Sequence, residues 1–167
     1  MLVVYSVTKL QHAEQGGAST VARQVLECNE PIPPGAVWID MIEPTQREDQ
    51  QVEDYLQCKI PTRDDPHFTE PLEAYYAENG VRYLQASVVG KTGVIFVICG
   101  PTLVTVRYGA SESFEILGQK LCNSWGHTLE PDAIALGLVH TLVNRSARAL
   151  GKVGKTLDEI AAAGPRR

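Results

Sequence analysis

Val94-Ile95-Phe96-Val97-Ile98-Cys99-Gly100-Pro101-Thr102-Leu103-Val104-Thr105-Val106-Arg107-Tyr108 sets two short runs of β-branched and apolar residues on either side of a Gly-Pro turn. Each run is strand length and too short for a helix, so residues 94–99 and 103–108 predict an antiparallel pair joined by Gly100-Pro101-Thr102. Just upstream, Glu78-Asn79-Gly80 separates two further strand-like runs, 74–77 and 81–89, and Asn-Gly in that position is a strong hairpin signal. Four successive strands therefore form a meander whose apolar face must be covered by other parts of the chain.

Working towards the N-terminus, residues 2–7 are β-branched and apolar, residues 20–26 suit a second strand, and residues 36–41 form a short buried strand. The last is delivered by the rigid turn Glu30-Pro31-Ile32-Pro33-Pro34-Gly35. Thr45 and Glu48 then stand at the spacing of a capping box, predicting a helix to about Gln57 that buries Val52, Tyr55 and Leu56. Towards the C-terminus, Phe114, Leu117 and Leu121 mark one face of a helix over 111–123. A longer helix starts near Pro131 and continues through Ile134, Leu138, Leu142, Leu150, Val153, Leu157 and Ile160. Its last four apolar positions have the 3-4-3 spacing of a helix–helix seam, with little chain left to cover it.

Gly-Lys-Thr occurs at 90–92 and again at 154–156, which raises the question of nucleotide binding. A phosphate-binding loop needs a glycine five residues before the second Gly, between a strand and a helix, so that backbone N–H groups can wrap the phosphates. Gln85 and Ala149 occupy that position in the two copies. The first triplet lies between two strand-like runs and predicts a hairpin turn, Gly90-Lys91-Thr92-Gly93; the second lies inside a helical pattern. No nucleotide and no organic cofactor is expected.

Composition bounds the other classes. At 167 residues, 44% hydrophobic and 21% charged, the chain is long enough for one domain with a proper core. A net charge of −5 argues against nucleic acid as the main partner. The N-terminus lacks a signal-peptide pattern, and the longest apolar run, 94–99, is far short of the ~20 residues that span a bilayer. Cys28, Cys58, Cys99 and Cys122 form no C-x-x-C pair and look like ordinary thiols of a reducing compartment. His12, His67, His127 and His140 are scattered, and no nucleophile elbow or H-E-x-x-H helix is present, so the chain is not expected to be an enzyme. One acidic cluster stands out, Arg63-Asp64-Asp65-Pro66-His67. Adjacent carboxylates suit a hard cation such as Mg²⁺, although the same pair also suits a solvated turn or a helix N-terminus.

Four segments in order, Trp38-Ile39-Asp40-Met41-Ile42-Glu43-Pro44-Thr45, Ile60-Pro61-Thr62-Arg63-Asp64-Asp65, Tyr75 through Ala86, and Leu103-Val104-Thr105-Val106-Arg107-Tyr108, resemble the cytoplasmic N-terminal domain of CorA-like divalent-cation transporters. The resemblance runs from about Trp38 to Leu157. It implies an α/β (α+β) domain: an α/β/α layered arrangement around a mixed, largely antiparallel sheet, then a long C-terminal helix that here stops before the membrane region. Residues 1–128 would be the cytoplasmic domain and 129–167 the start of a helical arm leading to two transmembrane helices beyond this sequence.

The implied partners are a divalent cation, Mg²⁺ or Co²⁺, and other copies of the chain, five per funnel in the full-length family. The implied location is the cytoplasmic side of the inner cell membrane, with membrane contact only through the missing part. The resemblance also implies that Asp64 and Asp65 sit where family members contribute to a regulatory cation site. Asn144 and Arg145 replace the carboxylates that the long helix would add, so only weak Mg²⁺ or Co²⁺ binding is expected. The alternatives are a stand-alone cytosolic ligand-binding or protein-interaction module, and a small enzyme whose site is assembled from distant residues.

Overall fold

Seven strands form one sheet in the computed structural model: β1 (Leu2–Lys9), β2 (Ser19–Leu26), β3 (Ala36–Ile42), β4 (Tyr75–Glu78), β5 (Val81–Ala86), β6 (Val94–Cys99) and β7 (Thr102–Arg107). Three helices accompany them among the described residues: α1 (Gln46–Leu56), α2 (Glu112–Asn123) and α3 (Pro131–Ala163). The structure describes residues 1–9, 19–27, 29–62, 75–86, 93–123 and 129–163. The expected turn at 90–93 falls mostly outside them; its flanks, Ala86 and Val94, are paired antiparallel as a hairpin requires.

The strand order is β2-β1-β3-β7-β6-β5-β4. All neighbours are antiparallel except β3 and β7, which run parallel with Trp38 opposite Leu103 and Ile42 opposite Arg107. A parallel pair needs a long crossover. Here the chain leaves β3 through α1, reaches the far edge at β4, and returns by the meander to lie beside β3. The turn residues match their geometry: Asn79 (φ 50°) and Gly80 (φ 80°) both adopt the left-handed conformation that a tight two-residue hairpin demands.

Because side chains alternate along a strand, the sheet has two apolar faces. Leu2, Val4, Ile39, Met41, Val97, Val104 and Val106 face α1 and its buried Val52. Val3, Tyr5, Trp38, Phe96 and Leu103 face Phe114 of α2 and Ile134, Leu138 and Leu142 of α3. The architecture is therefore α/β/α with a mixed sheet. Full burial of a side chain such as Leu138 contributes about 1.5–3 kcal/mol.

α1 begins as its sequence predicts. Thr45 Oγ1 accepts from the Glu48 amide at 3.4 Å, and Glu48 Oε2 accepts from the Thr45 amide at 2.8 Å. The helix ends where Gln57 turns left-handed at φ 54°. Tyr55 departs from expectation: it is 39% exposed and not buried. It lies on the flank of the helix, and its phenol needs a polar partner, found in the Pro33 carbonyl at 3.4 Å.

α2 sits close on β1 because position 118 carries no side chain. A Cβ there would fall 2.8 Å from Cζ of Tyr5, whose ring is buried and stacked on Trp38 with centroids 4.3 Å apart. Gly118→Ala gains about 1 kcal/mol of helix propensity, but the locked ring cannot yield, and overpacking costs typically about 1–3 kcal/mol. The expected net result is a lower urea midpoint with an unchanged denaturant slope. A variant as stable as the parent would show that α2 can lift from the sheet without loss.

Candidate functional site

Two of the resemblance segments, 38–45 and 103–108, meet in the fold. Trp38 and Asp40 on β3 and Thr105 and Arg107 on β7 project to the same face because they share the pleat of a parallel pair. Trp38 Nε1 donates to Thr105 Oγ1 at 3.0 Å, and Thr105 Oγ1 donates to Asp40 Oδ1 at 2.8 Å. Arg107 closes the chain with Nη2 to Asp40 Oδ2 at 2.8 Å and Nε to Oδ1 at 3.1 Å, while its Nη1 donates to the Gly109 carbonyl at 2.7 Å. The guanidinium also lies 4.7 Å from the centroid of the Phe114 ring on α2. Both charges are almost wholly buried, at 2% and 3% exposed.

Burial raises the Asp40 carboxyl above its usual range, and the bonds from Arg107 and Thr105 work against that shift. The network stitches β3 to β7 and carries α2; it presents no face to a ligand. The hairpin segment is likewise structural: Tyr76 pairs with Tyr83 across β4 and β5, and the rings stack at 4.5 Å.

Asp64 and Asp65, with Arg63 and His67, lie outside the described residues. The helical half of the implied cation site does lie within them. Arg145 Nη1 donates to Glu112 Oε2 of α2 at 2.6 Å, and the Asn144 amide hydrogen-bonds the His140 ring at 3.1 Å. Arg145 is thus paired with an acid and Asn144 with an imidazole at the two positions where the resemblance implies carboxylates. Among the described residues no group of three or more His, Cys, Asp or Glu side chains is placed to hold a metal.

A polar cleft of about 610 Å³ runs along α1, lined by Gln46, Asp49, Glu53, Lys59, Thr62 and Tyr108 among others. Glu53 is engaged there, accepting from Lys59 Nζ at 3.2 Å and from the Ile60 amide at 2.9 Å. Asp49 is not: its Oδ1 is buried with no hydrogen-bond partner among the described residues. Burial, with the negative charges of Glu53 and Glu48, raises its carboxyl from the ordinary 3.8 to about 6. A folded-state value above the unfolded one means that the native chain holds its proton more tightly, so stability falls as pH rises from about 4 through about 6. Asp49→Asn should therefore add about 1 kcal/mol at pH 7.5, a figure discounted for solvent screening at a half-buried group, and nothing near pH 4. Urea midpoints at the two pH values test this, and an equal gain at both would assign the effect to something other than ionisation.

The other exposed feature is α3. Its inward stripe, Ile134, Ala135, Leu138 and Leu142, packs on the sheet. A second stripe, Leu136, Val143, Leu150 and Leu157 at every seventh position, with Val153 and Ile160 three residues after the last two, stays 56% to 70% exposed. Sequence reading found only the last four members of this seam, because nearer the domain the outward and inward apolar residues merge into one pattern. The neighbouring e and g positions Ala147, Ala149, Gly154, Thr156 and Ala161 are small or uncharged, so the apolar strip is wide. At its base an apolar groove of about 300 Å³ lies between Ala86 of β5 and Val139, Val143, Ala147 and Leu150 of α3. The bidentate pair Arg82–Asp132, at 2.6 and 2.7 Å, anchors the first turn of α3 to β5. The second Gly-Lys-Thr triplet lies inside α3, so its context is continuous helix and not strand–loop–helix. No helix among the described residues is long and apolar enough to cross a membrane.

No family model matches the sequence, and no curated protein matches it. Solved structures do. The complete structure of the CorA magnesium transporter from Methanocaldococcus jannaschii superposes on 100% of this chain with a TM-score of 0.61 at 12% identity. The chain spans 53% of that transporter's length. At that identity the likeness establishes a shared CorA-like fold.

Proposed function

We propose that this chain is the regulatory and scaffold domain of a CorA-like divalent-cation transporter, not an enzyme and not itself a pore. The observation that carries the proposal is the pairing of a whole-chain fold match with an unpartnered heptad seam on α3. A domain that worked alone would have no use for an apolar strip of this length, whereas an arm that assembles with further helices needs one. In this reading residues 129–167 begin the arm, α3 meets copies of itself in a homo-oligomer on the cytoplasmic face of the cell membrane, and the transported ion is Mg²⁺ or Co²⁺. Asp64 and Asp65 would bind a cation weakly, in the millimolar range or worse, because Arg145 faces Glu112 and offers a cation no ligand.

The test is the natural reading frame continued past Arg167, reconstituted in vesicles loaded with a fluorescent Mg²⁺ indicator. Two apolar segments of ~20 residues and saturable Mg²⁺ uptake are expected, with uptake falling at least about 10-fold in Leu150→Lys/Leu157→Lys as the arm loses its seam. A product without membrane segments, or vesicles without uptake, would overturn the proposal. The polar cleft along α1 favours a second reading, a stand-alone ligand-binding module. That reading expects a small polar ligand to bind the domain and to be lost in Lys59→Ala.

A further inference from the structure

The end of α1 and the end of β6 bring two thiols together. Cys99 Sγ donates to the Leu56 carbonyl at 3.6 Å, two residues before Cys58. On the other side of Cys58, the Lys59 carbonyl accepts from Tyr83 Oη at 3.1 Å, and Tyr83 pairs with Val97 on the strand that ends in Cys99. Cys58 is thus held from both sides against the end of the sheet. Both thiols are half-buried and pack on the same apolar cluster. We propose that Cys58 and Cys99 form a dithiol pair that closes to a disulfide under a low-molecular-weight disulfide oxidant, pinning the C-terminus of α1 to the end of β6.

The step balances. One protein thiolate attacks the oxidant RSSR, forming a mixed disulfide and releasing RSH; the second thiol loses its proton and displaces the other RSH. Two electrons pass from the cysteines to the oxidant. The link would close a loop of roughly 40 residues, long enough for a large constraint on the unfolded chain. It would also fix Lys59, which lines the polar cleft, relative to the sheet.

The groups facing Cys58 set the kinetics. Burial, the Cys99 thiol and the charge of Glu53 push the Cys58 thiol up to about 12, with the Tyr83 phenol also beside it. Closure is therefore slow near neutral pH and accelerates about 10-fold per pH unit where formation of the Cys58 thiolate limits it. The pair withstands brief oxidation and responds to a sustained oxidising state. This inference is independent of the transport reading and survives its failure.

The test is incubation of the folded chain with oxidised glutathione at pH 7, 8 and 9, followed by alkylation, intact mass and peptide mapping. The expected result is a loss of about 2 Da with Cys58 joined to Cys99, reversed by dithiothreitol, and absent in 8 M urea at the same oxidant concentration. Cys99→Ser should abolish the linked peptide while Cys122 stays alkylatable. Glutathione persisting on Cys58 or Cys99 with no linked peptide, or equal closure in urea, would overturn the proposal. Closure at a rate independent of pH would refute the role given to Cys58.

Discussion

Asp40→Ala is expected to destabilise the domain by about 3–5 kcal/mol, because it leaves the Arg107 guanidinium buried without a carboxylate. Arg107 would keep the Gly109 carbonyl and the Phe114 face, and neither neutralises it. Thr105 would lose its acceptor and Trp38 would hydrogen-bond to an unanchored hydroxyl, so the loss spreads to both sides of the β3–β7 pair. In a domain of this size the melting midpoint should fall by roughly 6–20 °C. Arg107→Met should cost a similar amount, since it strands Asp40 in turn. The double variant Asp40→Ala/Arg107→Met should cost less than the sum of the single changes, because replacing a buried pair with apolar side chains removes both desolvation penalties. Urea unfolding of the four proteins decides the matter. Single-variant losses below about 1 kcal/mol, or strictly additive ones, would show that the network is dispensable and that these residues matter for another reason.

The second large effect concerns self-association. The α3 seam presents Leu136, Val143, Leu150, Val153, Leu157 and Ile160 to solvent along about 36 Å of helix. An exposed apolar heptad strip associates with like strips, so the chain is expected to form oligomers at micromolar to millimolar concentration through α3. Leu150→Lys/Leu157→Lys places charge in the centre of the strip and should weaken association at least about 100-fold, while β-sheet circular dichroism and the urea midpoint stay near those of the parent. Both sites are exposed and beyond the part of α3 that packs on the sheet, which is why the fold should tolerate them. Sedimentation velocity over a concentration series is the measurement. A parent that stays monomeric at millimolar concentration with slow hydrogen exchange throughout α3 would refute an assembly role for the seam.

Together these two effects separate what holds the domain from what it offers to others. Three of the four segments that carry the CorA resemblance supply packing contacts: Trp38, Asp40, Thr105 and Arg107 in one buried network, Tyr76 and Tyr83 in one stack. The network joins β3 to β7, which are distant along the chain, and the stack braces the β4–β5 hairpin. Among the described residues, the α3 seam and the cleft beside α1 are surfaces open to interaction; Pro44, Thr62 and Tyr108 of those segments line the cleft, and the seam lies outside them.

Local signals determined much of this protein from its sequence. The Thr45–Glu48 capping box, the Asn79-Gly80 turn, the Gly100-Pro101 turn and Pro131 at a helix start act over a few residues, so spacing and residue type suffice to place them. The meander followed from the same rules, and the seam from Leu150 to Ile160 from helical periodicity alone. Three features needed the tertiary structure. That β7 lies parallel to β3 depends on the closure of a long crossover, which no local pattern encodes. That Asp40 meets Arg107 and Cys99 meets the Leu56 carbonyl at the end of α1 depends on contacts 67 and 43 positions apart in the chain. That Leu136 and Val143 face solvent while Leu138 and Leu142 are buried depends on which side of α3 the sheet covers. Periodicity reveals that a helix has an apolar stripe; only packing shows which stripe is already occupied.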